Sequence, residues 1–163
     1  MRTAIQSLLS LLAADVMSTR LVTVPEEMSL QGAARLLSRS NVSGAPVVDV
    51  EGRCVGVLSA NDFVSWAEKG DRSAKHLAEP CACAYSAWQV MDAETLPRDA
   101  VARYMTADPV VVAPSTPIDQ VARMMVDAHI HRVIVADPER RPVGIVSSTD
   151  ILAAVAYARE KVN

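Results

Sequence analysis

Residues 56–62 read Gly56-Val57-Leu58-Ser59-Ala60-Asn61-Asp62, and residues 144–150 read Gly144-Ile145-Val146-Ser147-Ser148-Thr149-Asp150. Both stretches run glycine, two apolar residues, serine, two variable positions, aspartate, and they lie 88 residues apart. Sliding the chain on itself by that offset lays residues 17–62 on 105–150 without a gap, with 13 of 46 positions identical. Chance gives about three, so the chain carries an internal duplication. The identities include Met17/Met105, Val22/Val110, Val24/Val112, Arg35/Arg123, Val47/Val135 and Val55/Val143. Two copies of one supersecondary unit pack together because neither buries its apolar face alone.

Each copy reads outward from its motif as β-α-β-β-α, an α+β pattern. A short apolar stretch opens it, Leu21–Val24 or Val110–Val112. Apolar residues at 30, 33, 34 and 37, and again at 118, 121, 122 and 125, give a helix face. Thr116-Pro117 is read as an N-cap hydroxyl followed by proline at the first helical position. Two β-rich runs follow, Ala45–Val50 with Cys54–Leu58 and Val133–Ala136 with Val143–Val146, each pair joined by a polar turn as a hairpin. A last helix starts near Ser59 and Ser147. Continuously apolar strands predict a sheet covered on both faces, so the repeats are expected to pack sheet to sheet about a pseudo-two-fold axis. The expected organisation is an N-terminal helix over 1–14, repeat 1 over 15–66, a linker over 67–102, and repeat 2 with a C-terminal helix over 103–163. Ile5, Leu8, Leu9 and Leu12 give the N-terminal helix its stripe, read as a packed helix and not a leader peptide. A linker of this length is expected to form helix or to pack on the repeats in part.

Composition narrows the function. Half the residues are hydrophobic and the net charge is −3, so the chain is neither disordered nor a general nucleic-acid binder. Six aromatic residues do not make a stacking platform for single strands. Without 18 consecutive apolar residues, no transmembrane helix is expected. Three cysteines, Cys54, Cys81 and Cys83, are no disulfide framework and fit a reducing, cytoplasmic location. The chain has no His-Glu-x-x-His, no Walker-type phosphate loop and no Gly-x-Ser-x-Gly elbow, so it reads as no enzyme.

The paired motifs, the preceding hairpins and the openings Met17-Ser18 and Met105-Thr106 resemble a tandem pair of CBS domains, a Bateman module, here expected to stand alone. The resemblance covers about residues 15–66 and 103–155. It implies an adenine-nucleotide-type regulatory ligand in clefts between the repeats, with no other cofactor. By resemblance, Asp62 and Asp150 bond ribose hydroxyls from the motifs that also hold Gly56, Val57, Ser59 and Gly144, Ile145, Val146, Ser147, Thr149. Backbone groups of Val22, Thr23, Val24 and of Val110, Val111, Val112 meet the purine. The run His129-Ile130-His131-Arg132-Val133-Ile134-Val135 is similar to the adenylate-sensing subunit of AMP-activated protein kinase, which implies that His131 and Arg132 face phosphate. Their counterparts, Ser43 and Gly44, offer no cation, so the second copy is expected to prefer a phosphorylated ligand. A homodimer is expected, and an unidentified protein partner is left open.

The chemistry stands without the family. A carboxylate at a helix start accepts both hydroxyls of a ribose, a glycine lets a flat base approach the backbone, and arginine offers phosphate a planar fork of donors. Against this stands a plainer reading, in which Ser59-x-x-Asp62 and Ser147-x-x-Asp150 only cap helices. The module is then a ligand-free dimerisation or docking scaffold. Replacing Asp150 in that case lowers stability without ligand by about 1 kcal/mol. His129 with His131, and Cys81-x-Cys83 with His76, fall short of a metal-ligand set, so no metal site is assigned.

Overall fold

The computed structural model describes residues 10–69 and 93–157. The expected helix stripe at Ile5, Leu8 and Leu9, and the residues His76, Cys81 and Cys83, lie outside the described residues. Five α-helices and two sheets are described, an α+β fold. The chain divides into two compact units, each built on one repeat.

The first-repeat unit comprises Val22–Glu51 and Val55–Asp108. Its helix α2 (Leu30–Arg39) starts at Ser29, whose Oγ accepts the Gly32 N–H at 3.1 Å. Strands β1 (Val24–Pro25), β2 (Gly44–Val48), β3 (Cys54–Ser59) and β4 (Thr106–Ala107) lie in that order across the sheet. Helix α3 (Ala60–Lys69) follows β3 directly. Leu30, Leu37, Leu58 and Phe63 form the centre of the core. Burial at about 1.5–3 kcal/mol per large apolar side chain drives this packing. Leu96 and Val101, from the stretch read as linker, complete the same core, while the Val101 N–H donates to the Met28 carbonyl at 2.8 Å. The Tyr104 hydroxyl donates to Asp99 Oδ2 at 3.2 Å. Burial, then the bond to Asp99, holds that phenol above its ordinary pKa.

The second-repeat unit holds the residues from Pro109 onward, the hairpin tip Gly52–Cys54 and the segment up to Leu21. Its elements are α1 (Ala13–Val16), β5 (Val111–Val112), α4 (Ile118–Asp127), β6 (Arg132–Ala136), β7 (Pro142–Ser147) and α5 (Ser148–Tyr157). Strand β6 lies between β5, which runs parallel to it, and the antiparallel β7. Val133, Ile134, Val135 and Ala136 are buried in succession, as a strand covered on both faces requires. Strand β3 instead alternates buried and half-buried residues. Helix α5 has no buried residue, and it exposes Leu152, Val155 and Tyr157.

The start of α4 corrects the expectation. Pro117, not Thr116, is the N-cap, and no side chain caps the helix. The Thr116 carbonyl accepts the Ala13 N–H at 2.8 Å, and Leu12 forms a β-bridge with Pro117. Pairing with the N-terminal segment holds Pro117 extended, at φ −60° and ψ 143°, so the helix begins at Ile118.

The repeats keep their backbone where their side chains differ. Helices α2 and α4 end alike, with Asn41 at φ 53° and His129 at φ 55°. In each the next N–H reaches back five residues, Val42 to the Leu37 carbonyl at 3.1 Å and Ile130 to that of Met125 at 3.0 Å. His129 is thus a helix-end residue, and its Nδ1 lies 3.3 Å from the Asp127 carbonyl oxygen.

The units exchange the segments that open the repeats. Ser18 bridges antiparallel to Ile145 of the second repeat, and Thr106 pairs antiparallel with Val57 of the first. Subtracting the 88-residue offset from Thr106 and Ile145 returns Ser18 and Val57, so the two exchanges are one geometry repeated.

Candidate functional site

Each motif occupies a corner where a strand passes straight into a helix. At the first, the Ser59 N–H and Oγ both donate to Asp62 Oδ2, at 2.7 and 2.8 Å. At the second, the Ser147 N–H and Oγ donate to Asp150 Oδ2, at 2.7 and 2.6 Å, and the Asp150 N–H returns a bond to Ser147 Oγ at 3.3 Å. The serine backbone donor is an orphan of the helix start, and the aspartate three residues on satisfies it. The capping role is therefore present at both corners, and it engages the same oxygen in each. Both carboxylates are half-buried.

Glycine at the head of each motif is explained by packing. A Cβ at Gly56 would overlap the Met105 sulfur and lie 3.0 Å from the Thr106 carbonyl oxygen. A Cβ at Gly144 would overlap the Met17 sulfur and lie 3.1 Å from Met17 Cβ. The bare face read as room for a flat base is filled by methionine from the exchanged segment. The Met-Ser/Thr opening was visible in the sequence, but only the chain path reveals what it covers.

Beside each corner the first residue of the preceding strand differs. Arg132 is the cross-strand partner of Ser147. Directly opposed residues share a sheet face, with Cβ atoms about 4.5–5.5 Å apart. The exposed Arg132 thus stands on the same face as Ser147, next to the Asp150 corner. His131 is exposed as well, and its carbonyl accepts the Ser148 N–H at 3.0 Å at the start of α5. In the first repeat the Ser43 carbonyl accepts the Ala60 N–H, also at 3.0 Å, but the strand opens on Gly44. A Cβ there would meet the Leu58 carbonyl oxygen at 2.9 Å, which leaves no room for a cation.

The remaining predicted residues lie further off. Val24 pairs with Val47 of β2, and β2 separates β1 from the β3 corner. Val111 and Val112 pair with β6 in the same way, and the Val110 carbonyl accepts the Ile134 N–H at 3.3 Å. Thr23 and Thr149 are exposed, and Val22 packs on the first core. Val57 and Ile145 are half-buried, Val146 fully buried. No group of His, Cys, Asp or Glu among the described residues makes a metal site.

A family model for the CBS domain matches residues 13–69 and 101–157. The chain belongs to the CBS-domain family. This CBS pair is 30% identical to an uncharacterized protein of Methanocaldococcus jannaschii, over 89% of this chain and 91% of that one. Its structure is similar to the CBS domain pair of protein MJ0100 in complex with 5′-methylthioadenosine and S-adenosyl-L-methionine, with a TM-score of 0.68, 25% identity, and 90% and 96% of the two chains covered. It is equally similar to CBSX2 of Arabidopsis thaliana in complex with AMP, with a TM-score of 0.68, 25% identity, and 91% and 98% covered. The CBS pair spans about a fifth of several longer curated relatives.

Proposed function

We propose that this CBS pair is a regulatory module that binds an adenosine-containing nucleotide and performs no chemistry on it. The carrying observation is the second-repeat corner, where Arg132 stands across the strand pair from Ser147 and beside Asp150. A carboxylate for vicinal hydroxyls and a guanidinium for phosphate then lie on one edge, two recognition elements of a nucleoside phosphate. Complexes of similar CBS pairs with AMP, S-adenosyl-L-methionine and 5′-methylthioadenosine support the adenosine class. Ser147, Thr149, His131 and the backbone of Gly144–Val146 complete the proposed second site with Val110–Val112. Asp62 and Ser59, with Gly56, Val57 and Val22–Val24, form the first. Ligand shifts the module between states only through differential affinity, and a protein partner would read that shift.

The test is a thermal-shift screen against AMP, ADP, ATP and S-adenosylmethionine, followed by calorimetry. A ligand at one hundred times its Kd adds about 2.7 kcal/mol of stability. A shift that Asp150→Ala abolishes supports the reading, and no shift across the panel overturns it.

The second reading, a ligand-free dimerisation or docking scaffold, draws on the capping bonds and on α5. We include a homodimer in either reading, because Leu152, Val155 and Tyr157 lie exposed on a helix with no fully buried residue. Leu152→Glu is expected to convert a dimer to monomer in light scattering, and a wild-type monomer at high concentration overturns the dimer. A cytoplasmic setting completes the proposal. No helix among the described residues is long and apolar enough to cross a membrane.

A further inference from the structure

The carboxylates Asp62 and Asp150 do not have the same hydrogen-bonding capacity left. An ionised carboxylate offers about four lone-pair sites over its two oxygens. At Asp150 both described side-chain and backbone donors come from Ser147 and both fall on Oδ2. Its Oδ1 accepts from no described donor, so two sites remain. At Asp62 the Ser59 pair again takes Oδ2, but Thr106 Oγ1 also donates to Oδ1, at 3.2 Å. One site remains there. The vicinal diol of a ribose brings two O–H donors. Asp150 accepts both without losing a bond, whereas Asp62 accepts both only after releasing one.

The source of the third bond is the exchanged segment. Thr106 and Ser18 hold equivalent bridge positions, opposite Val57 and Ile145. The Ser18 backbone makes both of its bridge bonds, to the Ile145 carbonyl at 2.9 Å and from the Ile145 N–H at 3.0 Å, yet its hydroxyl does not reach Asp150. Threonine is β-branched and stiff at χ1, so its hydroxyl is held in place where that of serine is free to turn away.

We propose that Thr106 is a specificity-determining latch, holding the Asp62 carboxylate against ribose and making the first-repeat corner the weaker of two sites. The inference rests on the nucleotide reading above. It adds to that reading the residue, outside both motifs, that sets the difference between the corners.

Calorimetry with AMP and with S-adenosylmethionine tests it, using the full chain with the Asp150→Asn substitution to isolate the first corner. Adding Thr106→Val, which keeps the shape and removes the hydroxyl, is expected to tighten binding about fivefold, the worth of one modest hydrogen bond. Thr106→Ser keeps the hydroxyl but frees it to turn away, as that of Ser18 does, and is expected to fall between its parent and Thr106→Val. Thr106→Val in an Asp62→Asn background is expected to leave the second corner unchanged. Circular dichroism establishes that each variant is folded. Binding by the wild type with Thr106→Val unchanged, weaker or silent in the Asp150→Asn background overturns the latch alone. Silence of the wild type and of every variant toward both probes overturns the nucleotide reading, and the latch with it.

Discussion

The two strand-to-helix corners share a backbone, a serine, an aspartate and a methionine-covered glycine, but they differ in what stands around the carboxylate. The first is closed in on itself. Thr106 occupies the second oxygen of Asp62, and Gly44 puts no charge at the head of the neighbouring strand. The second is open, with one oxygen of Asp150 unengaged by described donors and Arg132 alongside. A duplication thus preserves the parts that build the fold while a few positions around them diverge. Because capping uses one oxygen, the same aspartate serves a helix and still has a face to offer.

Asp150→Ala tests this contrast most severely. It removes two charge-assisted hydrogen bonds to the proposed ribose, so AMP affinity is expected to fall about 100-fold, against a much smaller fall for Asp62→Ala. Equal losses in calorimetry would break the contrast. Gly56→Ala and Gly144→Ala come next. Each forces a methionine out of place and is expected to cost about 1–3 kcal/mol in urea unfolding. Similar costs at both corners would show that the glycines serve the shared architecture, and a neutral result would remove the methionine contact as the reason for glycine there. Arg132→Ala is expected to weaken AMP about tenfold while leaving adenosine within twofold, because the guanidinium addresses phosphate only. An equal loss for both ligands would remove the charge asymmetry.

The smallest effect is a cap effect. Asp150→Asn without ligand is expected to lower stability by about 1 kcal/mol, since its Oδ2 satisfies the Ser147 N–H. That loss no longer separates a ligand site from a scaffold, because the capping bond coexists with an unengaged oxygen. Asp62→Asn is expected to cost slightly more, having a third bond to lose. The reverse order in thermal melts would count against the Thr106 contact.

Much of this was legible in the chain. Apolar periodicity located α2, α4 and all four hairpin strands to within a residue or two, because burial dictates where such residues recur. The 88-residue register located both corners, since Ser-x-x-Asp is local chemistry acting over one helical turn. The start of α4 was not legible. Thr116 carries a capping hydroxyl, but a strand-like contact with residues a hundred positions earlier decided its conformation. Nor did the linker show that Leu96 and Val101 belong to the first core, since one apolar residue in a polar stretch has no periodicity.

By itself, the sequence determined the repeat, the order of elements in each copy, the helix-starting serines and aspartates, and the missing cation at Gly44. These follow from interactions within a few residues or from the pattern of burial. Only the tertiary structure decided that the opening segments cross over, placing Met105 and Thr106 on the first repeat and Met17 and Ser18 on the second. The physical reason is that the same apolar segment can cover either copy of a duplicated unit, and local sequence does not say which.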